Sequence, residues 1–141
     1  MIRYATLNDL DFIYELSKKT FETSFSKETL KEYIEARETF HVFVSEEDEL
    51  IGFIILWVSD IYSQLIDVVV NENSRGKGYG KKLLEFAFNF LTKTSVKSLS
   101  LEVSQNNKNA IKLYESGGFR KEKTLKNYYK NADALLYIKE F

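Results

Sequence analysis

Hydrophobic and polar positions alternate along this chain in two distinct rhythms, and their order predicts a mixed α/β domain. Ile2-Arg3-Tyr4-Ala5 reads as a short edge or entry strand. Asn8 is placed to cap a helix, with Asp9 and Asp11 in its first turn and Leu10, Ile13, Tyr14 and Ser17 at helical spacing. A second helix is expected from Ser26, with Leu30, Tyr33 and Ile34 on its inner face. Phe40 to Val44 reads as a strand, and the acidic run Glu46-Glu47-Asp48-Glu49 turns it into Ile51–Val58. Leu65–Val70 is rich in β-branched residues and reads as a further strand. From Gly80 the period becomes helical, with Leu84, Ala87, Phe88 and Leu91 on one side. Lys97–Val103 is then a strand, Asn107–Ser116 a helix, and Phe119–Tyr128 and Ala134–Ile138 closing strands. The predicted order is βααβββαβαββ. No linker, repeat or boundary interrupts it, so residues 1–141 are expected to form one domain.

Composition narrows the chemistry. With 141 residues, 44% hydrophobic and 15% aromatic, the chain can fill one core. It contains no cysteine, which excludes disulfides, a thiolate nucleophile and Cys-type zinc sites. Its single histidine, His41, excludes sites that need two, and lies between Phe40 and Val42 as an ordinary strand residue. No metal is expected. The longest apolar stretch, Ile51 to Val58, is too short to cross a bilayer. The opening Met1-Ile2-Arg3-Tyr4 has no signal-peptide pattern, so a cytoplasmic address is expected, with neither a membrane nor a nucleic acid as partner.

The net charge of −1 hides an asymmetry. Residues 1–73 hold 6 Lys/Arg against 15 Asp/Glu, whereas residues 74–141 hold 14 against 6. A basic second half suits a phosphorylated ligand and an acidic first half a cationic one, although both also read as solvated faces.

The motif that discriminates is Arg75-Gly76-Lys77-Gly78-Tyr79-Gly80, lying between a strand and a helix. Alternating glycines let successive backbone N–H groups converge, and the positive end of the following helix completes an anion site. Arg75, Lys77, Lys81 and Lys82 add four positive charges, so a pyrophosphate is the natural guest. The loop lacks the Gly-Lys-Ser/Thr of a P-loop. It reads G-x-G-x-G rather than the dinucleotide G-x-G-x-x-G, although Glu102 falls where a ribose-binding acid would be sought. A plain glycine turn without ligand is the other reading of the same residues.

Here the chain resembles the GNAT acetyltransferase superfamily. Its acyl-CoA loop, Q/R-x-x-G-x-G/A, is matched by Arg75, Gly78 and Gly80. Leu101-Glu102-Val103, Asn107, Ala110-Ile111, Leu113-Tyr114-Glu115 and Gly118-Phe119 resemble that family's second half. The run from Leu101 through Asn127-Tyr128-Tyr129 to Asp133-Ala134-Leu135 is similar to the ribosomal-protein alanine N-acetyltransferases. The likeness is specific over residues 65–138 and a matter of element order over residues 1–60. A proline after the cofactor strand is replaced by Asn71-Glu72, and the Pro-Trp before the second helix by Ser24-Phe25, a segment that helps to shape the acceptor site.

The resemblance implies a mostly antiparallel central sheet flanked by helices, with acetyl-CoA as co-substrate. It implies that Val68, Val69 and Val70 pair with the pantetheine arm, that Arg75, Gly76, Lys77, Gly78, Tyr79, Gly80 and Lys81 hold the pyrophosphate, and that Asn107 binds the arm near its reactive end. Glu102 would be the general base and Tyr114 the general acid. Taken alone, Glu102 reads as a charge turned from the core, since it shares parity with Ser98, Ser100 and Ser104, and Tyr114 as a tyrosine covering core. Asn107 and Tyr114 are seven residues apart, two helical turns, and so share a face. Asp67, on the cofactor strand, is a rival base, and Val69 the expected oxyanion donor. Tyr128 and Tyr129 line the acceptor channel or are simply sheet residues.

The implied reaction moves acetyl onto a primary amine. Deprotonating an α-amine of pKa about 8 at pH 7 costs about 1.4 kcal/mol, against about 4.6 for a lysine near 10.4. The α-amine asks less of a base, and the resemblance implies the N-terminal α-amine of a protein or peptide, such as a ribosomal protein, as the first expectation. A polyamine-type small amine is the second, and a non-catalytic acyl-CoA-binding module the third. Without cysteine no acyl-cysteine can form, so direct transfer in a ternary complex is expected.

Overall fold

The computed structural model describes all residues except 22 and 23. The chain runs β1 (Ile2–Tyr4), α1 (Leu10–Thr20), α2 (Lys27–Glu35), β2 (Phe40–Glu46), β3 (Leu50–Ser59), β4 (Tyr62–Val70), α3 (Tyr79–Thr92), β5 (Ser98–Ser104), α4 (Lys108–Ser116), β6 (Arg120–Tyr129) and β7 (Ala132–Glu140). That is the predicted order. The strands form one seven-stranded sheet, β1-β2-β3-β4-β5-β7-β6. Every neighbouring pair is antiparallel except β4 and β5.

Helices cover both faces of the sheet. On one, Phe43, Ile54, Leu56 and Leu65 pack with Leu83, Leu84, Ala87 and Leu91 of α3 and Tyr114 of α4. On the other, Val42, Val44, Phe53, Ile55 and Val69 pack with Ile13 and Leu16 of α1 and Leu30 and Ile34 of α2. β3 is buried from Ile51 to Leu56 because it faces helices on both sides, hence its unbroken apolar run.

The parallel junction positions the site. β4 and β5 pair only at Tyr62↔Ser98, Ser63↔Leu99 and Gln64↔Ser100, then separate. β4 begins at Tyr62, three residues before the apolar run that predicted it, and those extra residues make the junction. Ser63 is buried there and donates its hydroxyl to the Ser98 carbonyl at 2.7 Å. In the opposite direction, β4 and β5 diverge into a split with Val68–Val70 on one wall and Glu102–Ser104 on the other.

The first helix starts differently from the expectation. Asn8 lies inside a single 3-10 turn, Leu7–Asp9, and Thr6 occupies the cap position. The Thr6 N–H donates to Asp9 Oδ2 at 2.8 Å, a capping-box contact that satisfies an otherwise orphan donor. Asp9 is buried and gripped by Arg3, whose Nη1 and Nη2 donate at 2.8 and 3.1 Å. Burial pushes the Asp9 carboxyl up, but the hydrogen bonds from Arg3 and Thr6 outweigh it and hold it below the usual carboxylate range. A depressed folded pKa contributes stability that is present above the unfolded value of about 3.9 and lost as pH falls through the folded one. Asp9→Ala is therefore expected to lower unfolding stability by about 1–3 kcal/mol at neutral pH, because Arg3, part-exposed and still paired with Glu46, loses its two bonds to Asp9. Urea melts at pH 7 and below pH 3 check this, since the deficit shrinks in acid.

Candidate active site

The glycine loop adopts the backbone that its composition demands. Gly76 and Gly78 have φ of +77° and +88°, left-handed conformations that side chains resist, and an added Cβ at either would meet open space. Gly78 is the N-cap of α3, a helix of 14 residues, so free N–H groups and the helix dipole point together at the loop. Gly80 is glycine for another reason. A Cβ there would stand 3.3 Å from Leu113 Cδ2 and 3.9 Å from Val70 Cγ2, where α3, α4 and β4 converge.

Beside this loop a cleft of about 560 Å3 runs between β4 and the helices α3 and α4. Val68, Val69, Val70, Arg75, Gly76, Gly78, Tyr79, Gly80, Lys81, Asn107 and Tyr114, all singled out from the sequence, line it together. Lys77 is exposed and does not line it. Lys82 lies over the Tyr79 ring at 5.4 Å, and Arg75 Nε donates to the Val70 carbonyl at 2.9 Å. Of the four cations expected around the loop, Arg75 and Lys81 line the cleft wall, with Arg75 also pinning the loop to the end of β4. Thr20, Ser74, Asn109, Ala110 and Leu113 complete the lining. No sequence signal pointed to Thr20, because α1 reaches the cleft only through the tertiary fold.

The direction of the β4 backbone corrects one expectation. Asn71 N–H donates to Ile51 O at 2.7 Å, so this opposed pair is hydrogen-bonded. Antiparallel pairs alternate, and the next such pair towards the start of β4 is Phe53 with Val69. The Val69 N–H is therefore spent on β3, and the polar groups of Val68 and Val70 face the split. An oxyanion donor on β4 is the Val68 N–H rather than that of Val69.

Tyr114 sits at the inner end of the cleft, 8% exposed, with its ring edge-on to Phe119 at 5.8 Å. Burial first, then the charges of Asp67 and Tyr129, raise its phenol well above the ordinary value, so it stays protonated at neutral pH. Asn107 caps α4, its Oδ1 accepting from the Ala110 N–H at 3.2 Å, which fixes the side chain at the cleft mouth.

Glu102 is not part of the cleft lining. It leaves β5 on the face opposite Leu101 and Val103, as its parity with the serines required. There it accepts a hydrogen bond from the Tyr128 hydroxyl, 2.9 Å to Oε2. A wide bulge in β6 delivers that tyrosine. Leu125 pairs with Ala134 and Tyr129 with Ala132, so residues 126–128 stand opposite Asp133 alone. Asn127 takes φ +53° within the bulge, and its N–H is held by Asp133 Oδ1 at 2.8 Å. Tyr128 and Tyr129 are thus more than sheet residues: one touches Glu102, and the phenol of the other is raised by burial and by the charges of Glu102 and Asp67.

Phe25 and Tyr33 meet edge-on at 5.3 Å, and Tyr33 stacks on Phe40 at 4.0 Å. The Ser24-Phe25 segment therefore packs on the same face of the sheet as Glu102. His41 bonds to the Tyr4 hydroxyl through Nδ1 at 2.8 Å and packs on Phe90, away from the cleft, without a part in the site.

The family model described as the Acetyltransferase (GNAT) family matches residues 10–119. The chain belongs to the GNAT acetyltransferase family. Among curated GNAT relatives, the [ribosomal protein bS18]-alanine N-acetyltransferase of Haemophilus ducreyi is 32% identical over 133 residues, covering 94% of this chain and 91% of that protein. An N-alpha-acetyltransferase of Sulfolobus acidocaldarius is 30% identical over 149 residues, with 94% and 86% covered. The crystal structure of the ribosomal-protein-S18-alanine N-acetyltransferase from Escherichia coli superposes with a TM-score of 0.89 at 27% identity, covering 99% of this chain and 92% of that one.

As a GNAT enzyme the chain is an acyltransferase that uses acetyl-CoA, and the cleft fits that co-substrate. Open left-handed glycines and a helix N-terminus suit a pyrophosphate, and the outward polar edge of β4 suits an amide-bearing arm. No helix of the described residues is long and apolar enough to cross a membrane.

Proposed function

We propose that this chain acetylates the N-terminal α-amine of a protein, with a ribosomal protein as the favoured acceptor, as a single domain acting in the cytoplasm. The observation that carries the reading is the split between β4 and β5. Tyr114 stands at the end of the cofactor cleft, and Glu102 with its tyrosines stands on the opposite face of the sheet. A donor and an acceptor approaching from the two faces meet there. The relatives named above for alanine and N-alpha acetylation support the choice of acceptor.

Acetyl-CoA supplies the activated thioester. Glu102 takes one proton from the ammonium, directly or through water, which frees the nitrogen lone pair to bond to the acyl carbon. The Val68 N–H meets the charge that develops on the acyl oxygen. Tyr114 gives its phenolic proton to the departing sulfur as the carbon–sulfur bond breaks, and the second proton lost by the nitrogen restores the phenol. The described chain has no cysteine to carry an acyl group, so transfer is direct, in a ternary complex.

Free-thiol release from acetyl-CoA, measured with peptides of different N-termini beside spermidine and lysine, tests this. Turnover with Ala-starting peptides is the expected result. Release only with spermidine moves the acceptor to small amines, and silence with every amine despite acetyl-CoA binding makes the chain a binding module.

A further inference from the structure

Asp67 is a half-buried carboxylate with no task in the chemistry just described. Simple alternation along β4 would put it on the face of Leu65, among the packing of α3 and α4. The register instead jumps between Ile55↔Asp67 and Leu56↔Leu65, leaving Ile66 as the extra residue of a β-bulge. Asp67 is thereby turned to the face of Ile55 and Val69, which carries α1 and α2. The phenols of Tyr33 of α2, Tyr114 of α4 and Tyr129 of β6 are each raised first by burial and then by negative charge that includes Asp67. Tyr129 feels Glu102 as well, so negative charge from both walls of the split acts on one tyrosine. Among the described residues no Lys or Arg accompanies Asp67, and burial alone pushes its carboxyl up to about 7. Such a group destabilises a fold unless a ligand brings the missing cation.

We propose that Asp67 is the acceptor-binding residue: from the β4 wall it holds the ammonium of the incoming amine, while Glu102 on the β5 wall takes its proton. This rests on the reading of Glu102 as base. The chemical class selected is a primary ammonium with an unblocked face, as at a protein N-terminus. In the free enzyme Asp67 is neutral below about pH 7 and ionised above it. Capture of the cation therefore weakens as pH falls through that value. Once bound, the ammonium holds the carboxylate ionised, so the limb appears in kcat/KM and not in kcat.

The experiment compares wild type with Asp67→Asn and Asp67→Glu, using an Ala-starting peptide. Asp67→Asn is expected to raise the peptide KM about 10- to 100-fold, the worth of one hydrogen bond to a charged group. Acetyl-CoA affinity stays unchanged, the acid limb near pH 7 in kcat/KM disappears, and the melting temperature does not fall, because an unpaired, half-buried charge is gone. Asp67→Glu recovers part of the lost KM. A fall in melting temperature together with lost acetyl-CoA binding would make Asp67 structural and overturn the proposal. So would an unchanged peptide KM. A collapse of kcat at unchanged KM, with Glu102→Gln still active, would make Asp67 the base and refute the role given to Glu102. A wild type that turns over no amine removes the underlying reading and this one with it.

Discussion

Glu102→Gln lowers kcat about 10²- to 10⁴-fold with acetyl-CoA affinity unchanged, the range expected when a positioned base is removed. The substitution isolates the proton transfer, because glutamine keeps the length of the side chain and an oxygen that can accept from the Tyr128 hydroxyl, now 2.9 Å from Oε2. Glu102 is outside the cleft lining, so nothing that holds the cofactor is disturbed. Rapid-quench measurement of peptide acetylation, with equilibrium binding of acetyl-CoA alongside, separates the two effects. Activity within about threefold of wild type would take the base role from Glu102, and Asp67 would be the group to examine next.

Tyr114→Phe is expected to lower kcat about 10²-fold, at nearly constant KM for both substrates. The effect is smaller than that of Glu102 because a thiol of ordinary acidity, with pKa about 8.5, leaves moderately well as the thiolate near neutral pH. The ring itself is needed for packing: it is buried among α3, α4 and the sheet and meets Phe119 edge-on at 5.8 Å. Phenylalanine preserves that contact, so the melting temperature should hold while turnover falls. Burial, with Asp67 and Tyr129, keeps the phenol protonated well into the alkaline range. Wild-type kcat should therefore show no descending limb from Tyr114 below about pH 10, the unperturbed phenol value. Such a limb in wild type, vanishing in the variant, would mean that Tyr114 is far less buried during turnover than the fold places it.

Much of the site was legible because its parts are local. The glycine loop is read from Arg75 to Gly80 alone, since left-handed turns and an open helix N-terminus are properties of a few consecutive residues. Ser26 and Asn107 cap the helices expected of them, each through a side-chain oxygen accepting from the N–H three residues on. Asn8 failed as a cap because Asp9 is claimed by Arg3, 6 residues back in the chain, and the helix entry is drawn to Thr6. Lys77 and Lys82 lie outside the cleft lining, because composition gives charge but not the direction of a side chain.

By itself the sequence determined the order of elements, the glycine loop, and the faces taken by Glu102 and Tyr114, all of which follow from local composition or from periodicity within one strand or helix. The tertiary structure alone decided where the two halves meet and where they part. The splitting of β4 from β5, the bulge that turns Asp67 across the sheet, and the bulge that brings Tyr128 onto Glu102 depend on register between strands distant in sequence. A one-residue slip in register reverses which face a side chain takes, and no pattern within a single strand records it.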